Sequence, residues 1–129
     1  MKKCKNSTPK KGLMLKVIIA GSRDFSNYDL LKEKCDYYLQ NQKEIEIVSG
    51  VARGADTLGE KYAKEKGFPI KQFRADWFLF GRNAGFQRNI EMSEYADALI
   101  AFWDKKSSGT KHMIETAKKK SLPTKVVFY

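Results

Sequence analysis

Three observations predict an α/β fold of the doubly wound kind, a three-layer sandwich around a mainly parallel sheet of five strands. Short apolar runs alternate with stretches of helical period. The helical stretches reach ten or more residues, the length that a crossover between parallel strands requires. The first apolar run is short, continuous and closed by turn residues, which suits a strand buried on both faces. Right-handed crossovers then place helices on both sides of the sheet, a Rossmann-like architecture.

Residues 15–20 form the first strand, ended by Gly21 and the polar turn 22–27. Tyr28, Leu31, Cys35, Tyr38 and Leu39 recur at helical spacing and predict the first helix. Residues 45–48 make the second strand, closed by Ser49 and Gly50. The turn 51–54 leads into a helix marked by Ala55, Leu58, Tyr62 and Ala63, which stops at Gly67. Residues 69–73 read as the third strand, and the aromatic- and glycine-containing stretch 74–85 as a long loop. A helix over 86–95, a strand over 98–103, a turn over 104–109, a helix over 110–120 and a strand over 125–128 complete the pattern.

The 129 residues suffice for one domain and one core. Residues 1–13, with five lysines and no apolar run, read as a basic disordered tail, and residues 14–129 as a single domain. The tail lacks the apolar stretch of a secretory signal, and no segment approaches the roughly 20 apolar residues of a membrane span. Cys4 and Cys35 have neither metal-ligand nor CxxC spacing, so two free thiols and a cytoplasmic location are expected, with no metal and no cofactor. The net charge of +10 fits either a solvated lysine surface or an anionic partner.

Ligands of such sheets bind beyond the carboxyl ends of the strands, where strand order reverses. Three turns there have suitable composition. Gly21, Ser22, Arg23 and Asp24 combine close backbone approach with donors for phosphate oxygens. Ser49, Gly50, Ala52, Arg53, Gly54, Ala55 and Asp56 form a glycine-rich, arginine-bearing turn that opens a helix. Ser108, Gly109 and Thr110 open another. Neither GxGxxG nor GxxxxGK[ST] occurs, which disfavours a dinucleotide fingerprint and a P-loop. Trp77 and Trp103 border this edge, where an indole stacks on a base or packs as core. Asp24 and Asp104 suit ribose hydroxyls or turn capping. His112 has no second histidine or cysteine for a metal site and reads as a packing or surface residue.

Residues 16–25 (KVIIAGSRDF), 47–50 (IVSG) with 53–56 (RGAD), and 95–104 (YADALIAFWD) with 108–110 (SGT) resemble the YspA-like family. This is a branch of the SLOG superfamily, named for the Smf/DprA and Lonely Guy (LOG) proteins. The resemblance implies a Rossmann-like domain, a nucleotide-derived ligand and a homodimer. LOG enzymes cleave base from ribose 5′-phosphate with an arginine and the glutamate of PGGxGTxxE. Arg88 and Asn89 fall where those enzymes carry Arg-Lys, and Gly109-Thr110 on their GT. The glutamate position holds Met113, and Glu115 lies about 200° further round a helix.

The sequence therefore supports a binding domain for a nucleotide-derived phosphate, held by the three turns with Arg88, Asn89, Trp103 and Asp104. Two alternatives stand beside it. One is a LOG-like N-glycosidic hydrolase, for which Arg88, Asp24 and Asp104 are the candidate catalytic residues. The other is nucleic-acid binding through the basic tail.

Overall fold

The computed structural model describes residues 14–129. The five strands β1 (Leu15–Gly21), β2 (Ile45–Ser49), β3 (Ile70–Gln72), β4 (Ala98–Trp103) and β5 (Thr124–Phe128) form one sheet in the order β3-β2-β1-β4-β5. Every pairing is parallel, with Val17 opposite Ile47 on one side and Ala98 on the other. The helices are α1 (Tyr28–Leu39), α2 (Ala55–Lys66), α3 (Trp77–Phe80), α4 (Ala84–Tyr95) and α5 (Ser108–Lys119). None of the described helices is long and apolar enough to cross a membrane.

Alternation along the strands divides the core in two, because successive side chains leave a strand on opposite faces. Val17, Ile19, Ile47 and Phe102 pack with Leu31, Cys35 and Tyr62 beneath α1 and α2. Ile18, Val48, Leu99 and Ala101 pack with Met92, Met113 and Ile114 beneath α4 and α5. Both faces of the central strand are closed, as the apolar run in β1 requires. The doubly wound α/β sandwich expected from the sequence is the observed fold.

Two segments differ from expectation. The stretch 74–85 is not an open loop: the Asp76 carboxylate accepts from the Leu79 N–H and caps α3, and a 3₁₀ turn, Gly81–Asn83, runs on into α4. A run of four apolar residues has no readable period, so this turn of helix leaves no signal in the pattern. The third strand is shorter than 69–73, an edge strand whose register with β2 covers only Ile70–Gln72. Strand order reverses between β1 and β4. The chain leaves β1 for β2 and β3, then returns across the sheet to β4.

Candidate functional site

The carboxyl ends of β1 and β4 are tied before they diverge. Ser22 N–H donates to the Phe102 carbonyl at 3.0 Å, and the buried Ser22 hydroxyl accepts from Asp104 N–H at 3.3 Å. The β2–α2 loop wraps against this junction. Gly54 sits there at φ 76°, where a Cβ would lie 2.3 Å from the Ser22 carbonyl oxygen and 2.6 Å from that of Arg23. Only a residue without a side chain closes that contact. Val51 also has positive φ, 62°, rare for a β-branched residue, and its N–H is held by the Ser49 hydroxyl at 3.1 Å.

Asp56, at the start of α2, turns back beneath this loop. Its buried carboxylate accepts from Ala52 N–H at 3.1 Å. Burial pushes the carboxyl up to about 6, against the pull of the Ala52 N–H and the neighbouring Arg88 guanidinium. Arg88 reaches over from α4 and donates through Nη1 to the Gly50 carbonyl at 2.9 Å. Gly50 leaves the room for it, since a Cβ there would stand 3.0 Å from Arg88 Nε. That Nε is the one buried side-chain polar atom among the described residues without a hydrogen-bond partner. Burial lowers the Arg88 pKa, Asp56 raises it, and Arg23 lowers it further.

Asn89, buried beside Arg88, donates to the Gly109 carbonyl at 3.3 Å and to His112 Nδ1 at 3.2 Å, linking α4 to α5. The His112 ring stacks on Phe86 with centroids 4.2 Å apart, and burial lowers its pKa. It is the helix-packing histidine that the sequence favoured.

Three adjoining cavities surround this framework, and both Arg23 and Arg88 border all of them. One of about 410 Å³ lies between the Gly50–Arg53 backbone and Arg74, Ala75 and Trp77. One of about 600 Å³ lies between Asp24, Asp104, Trp77, Arg82 and Phe86. A small pocket of about 80 Å³ between them is floored by Asp56, Thr110 and Met113. All five arginines of the chain border these cavities, and none of the described lysines does.

Of the residues singled out in the sequence, Gly21, Ser22, Arg23, Asp24, Gly50, Ala52, Arg53, Asp56, Arg88, Asn89, Asp104, Ser108, Gly109 and Thr110 line one or more cavities. Ser49, Gly54 and Ala55 lie behind them as loop supports. Trp103 stands apart from the cavities. Its indole donates to the Ser107 carbonyl at 3.0 Å and lies beside Phe128 of the adjacent strand, and it borders none of the three cavities. Trp77, 57% exposed, borders the two larger ones. Arg74, Arg82 and Phe86 also reach the cleft and were not singled out. The signal that finds them is the confinement of arginine, among 25 basic residues, to loops and helix starts at one edge of the sheet.

A family model for the YspA, cpYpsA-related SLOG family matches residues 15–80. The gene 61 protein of Mycobacterium phage D29 is 34% identical over 117 residues, covering 85% of this chain and 94% of that protein. The chain belongs to the YspA, cpYpsA-related SLOG family. The X-ray structure of DNA processing protein A (DprA) from Streptococcus pneumoniae shares the fold, with a TM-score of 0.71 at 20% sequence identity. That match covers 88% of this chain, which spans half of the DprA chain. The part of this SLOG chain matched by the family model runs from β1 through α3 and carries Arg23, Arg53 and Arg74. Arg82, Arg88 and the α5 wall of the cleft follow it in sequence.

Proposed function

We propose that the chain binds a nucleotide-derived phosphate ligand in the cleft between the carboxyl ends of β1 and β4. The observation that carries this reading is Arg88. Its guanidinium is fixed by the Gly50 carbonyl where three cavities meet, yet Nε is buried and unpaired. A buried donor left unsatisfied is costly, and an anion drawn to the fork offsets that cost. Membership of the SLOG family supports the nucleotide part of the assignment. Titration calorimetry with nucleoside monophosphates tests it. Arg88→Ala is expected to weaken binding by at least about tenfold, a loss of about 1.4 kcal/mol. Wild-type affinity in that variant, or no binding by the native chain, would sink the reading.

Asp56 favours a second reading, hydrolysis of the base–ribose bond. Met113 is buried where the LOG enzymes place their glutamate, whereas Asp56 faces the same small pocket with a carboxyl that titrates near 6. A carboxyl poised near neutral pH is suited to exchanging a proton with a reacting group. Released base, followed by chromatography and abolished in Asp56→Asn, is the expected result of this reading. Unchanged nucleotides count against it.

A further inference from the structure

We propose that the arm of the cleft between Arg53 and Arg74 is a second phosphoryl subsite, so that the ligand carries a pyrophosphate or longer phosphate chain. This rests on the nucleotide reading above and adds the number and position of its phosphates. Arginine and lysine are segregated in this chain. Arginine, with a planar fork that grips phosphate oxygens in pairs, is found only around the cleft, and the described lysines lie elsewhere. Four of the five arginines, Arg23, Arg53, Arg74 and Arg88, line the cavity of about 410 Å³, and no carboxylate lines it.

Among the described residues, Arg23, Arg53 and Arg74 make no ion pair, the two ion pairs being Lys66 with Asp36 and Lys120 with Glu94. Like charges gathered around one cavity repel one another, and the natural compensation is a ligand of high negative charge density. One phosphoryl group at Arg88 leaves Arg53 and Arg74 on the far wall without an anion. The larger cavity has the opposite character. Asp24 and Asp104 border it together with Trp77 and Phe86, so it offers hydroxyl acceptors and aromatic faces. The nucleoside therefore lies toward Asp24 and Asp104, and the phosphate chain runs past Arg88 into the arm.

The test compares nucleoside mono- and diphosphates of the four common bases, with inorganic phosphate and pyrophosphate, by calorimetry on the native chain and on Arg53→Ala/Arg74→Ala. Both side chains are exposed, and circular dichroism checks that the variant is folded. The expected result is a diphosphate preference of at least about tenfold, reduced to within about threefold in the variant. Equal affinity for mono- and diphosphates, or a preference that survives the double substitution, overturns the subsite while leaving the nucleotide reading intact. Pyrophosphate binding that depends on Arg53 and Arg74, without binding of any nucleotide, supports the subsite and overturns the nucleotide reading. Displacement of pyrophosphate by a single-stranded oligonucleotide but by no diphosphate overturns the proposal in favour of a nucleic-acid backbone.

Discussion

The β2–α2 and β4–α5 loops leave the same edge of the sheet with similar small, polar sequences, yet only the second caps its helix with a side chain. In the β4–α5 loop the Asp104 carboxylate accepts from the N–H groups of Lys106 and Ser107, both at 2.8 Å. These bonds hold its pKa below the usual carboxylate range. The Ser107 hydroxyl then caps α5 by accepting from Thr110 N–H at 3.3 Å. That loop is largely satisfied by its own side chains. In the β2–α2 loop the capping position is Gly54, which has no side chain to accept a bond, and Arg53 projects outward. A small polar residue at a strand–helix turn marks a ligand contact only if the neighbouring N–H groups are not already taken. Val51 and Ala52 N–H are taken by Ser49 and Asp56, so the β2–α2 loop differs in its uncapped helix start and its outward arginine rather than in spare backbone donors.

The comparison is broken most directly at Gly54. Alanine there would need positive φ and would drive a Cβ to 2.3 Å from a carbonyl oxygen. Gly54→Ala is expected to cost about 3 kcal/mol or more in urea denaturation. A change within about 0.5 kcal/mol would mean that the loop relaxes away from β1 freely.

Asp56 sharpens the contrast through pH. A rise from 3.8 to about 6 in the folded protein means that the native state holds a proton the unfolded chain has lost. Stability from this group is therefore present below pH 3.8, falls as pH rises through the window, and is gone above about 6. The full difference is about 3 kcal/mol. Asp56→Asn should remove that fall when melts between pH 4 and pH 7 are compared with the native chain. His112 works with the opposite sign, since burial lowers its pKa and acid destabilises the fold, but it is common to both proteins. Identical pH profiles would show that the Asp56 carboxyl titrates alike in the folded and unfolded chain.

The smallest effect belongs to Gly109. A Cβ there meets nothing within 4 Å, and its φ is not positive. Gly109→Ala should change stability by no more than about 1 kcal/mol, in the stabilising direction, because alanine is the better helix former. A loss like that of Gly54→Ala would erase the distinction between the two loops.

The sheet was legible in the sequence because its central strands are buried on both faces and read as unbroken apolar runs. Each crossover helix also kept its period, and Gly21, Gly50 and Ser107–Thr110 placed the mouth of the cleft. Trp103 and Trp77 show where such reading ends. In the sequence Trp103 ends a strand and Trp77 lies in the loop after one, but alternation in β4 sends Trp103 to the α4–α5 side, where it meets Phe128. Trp77 is returned to the cleft by a single helical turn whose cap, Asp76, is its only sequence mark. Arg74 and Arg82 flank that turn, so their place followed from a local geometry that composition does not encode. Asp56 was visible as a turn residue, but the guanidinium beside it, that of Arg88, comes from a distant part of the chain.

The central position of β1 also orders assembly during synthesis. The segment from β1 through β3 emerges first and contains one wall of the cleft, with Arg23, Arg53 and Arg74. The second edge of β1 stays unpaired until residues 98–103 arrive and join Val17 to Ala98. Parallel pairing across that separation must pay for loop closure before any contact rewards it, so it is a late step. The other wall, with Arg88, Asp104 and Thr110, is complete only then. The proposed ligand, bridging the two walls, would bind the finished fold alone and so clamp the last docking event of a newborn chain.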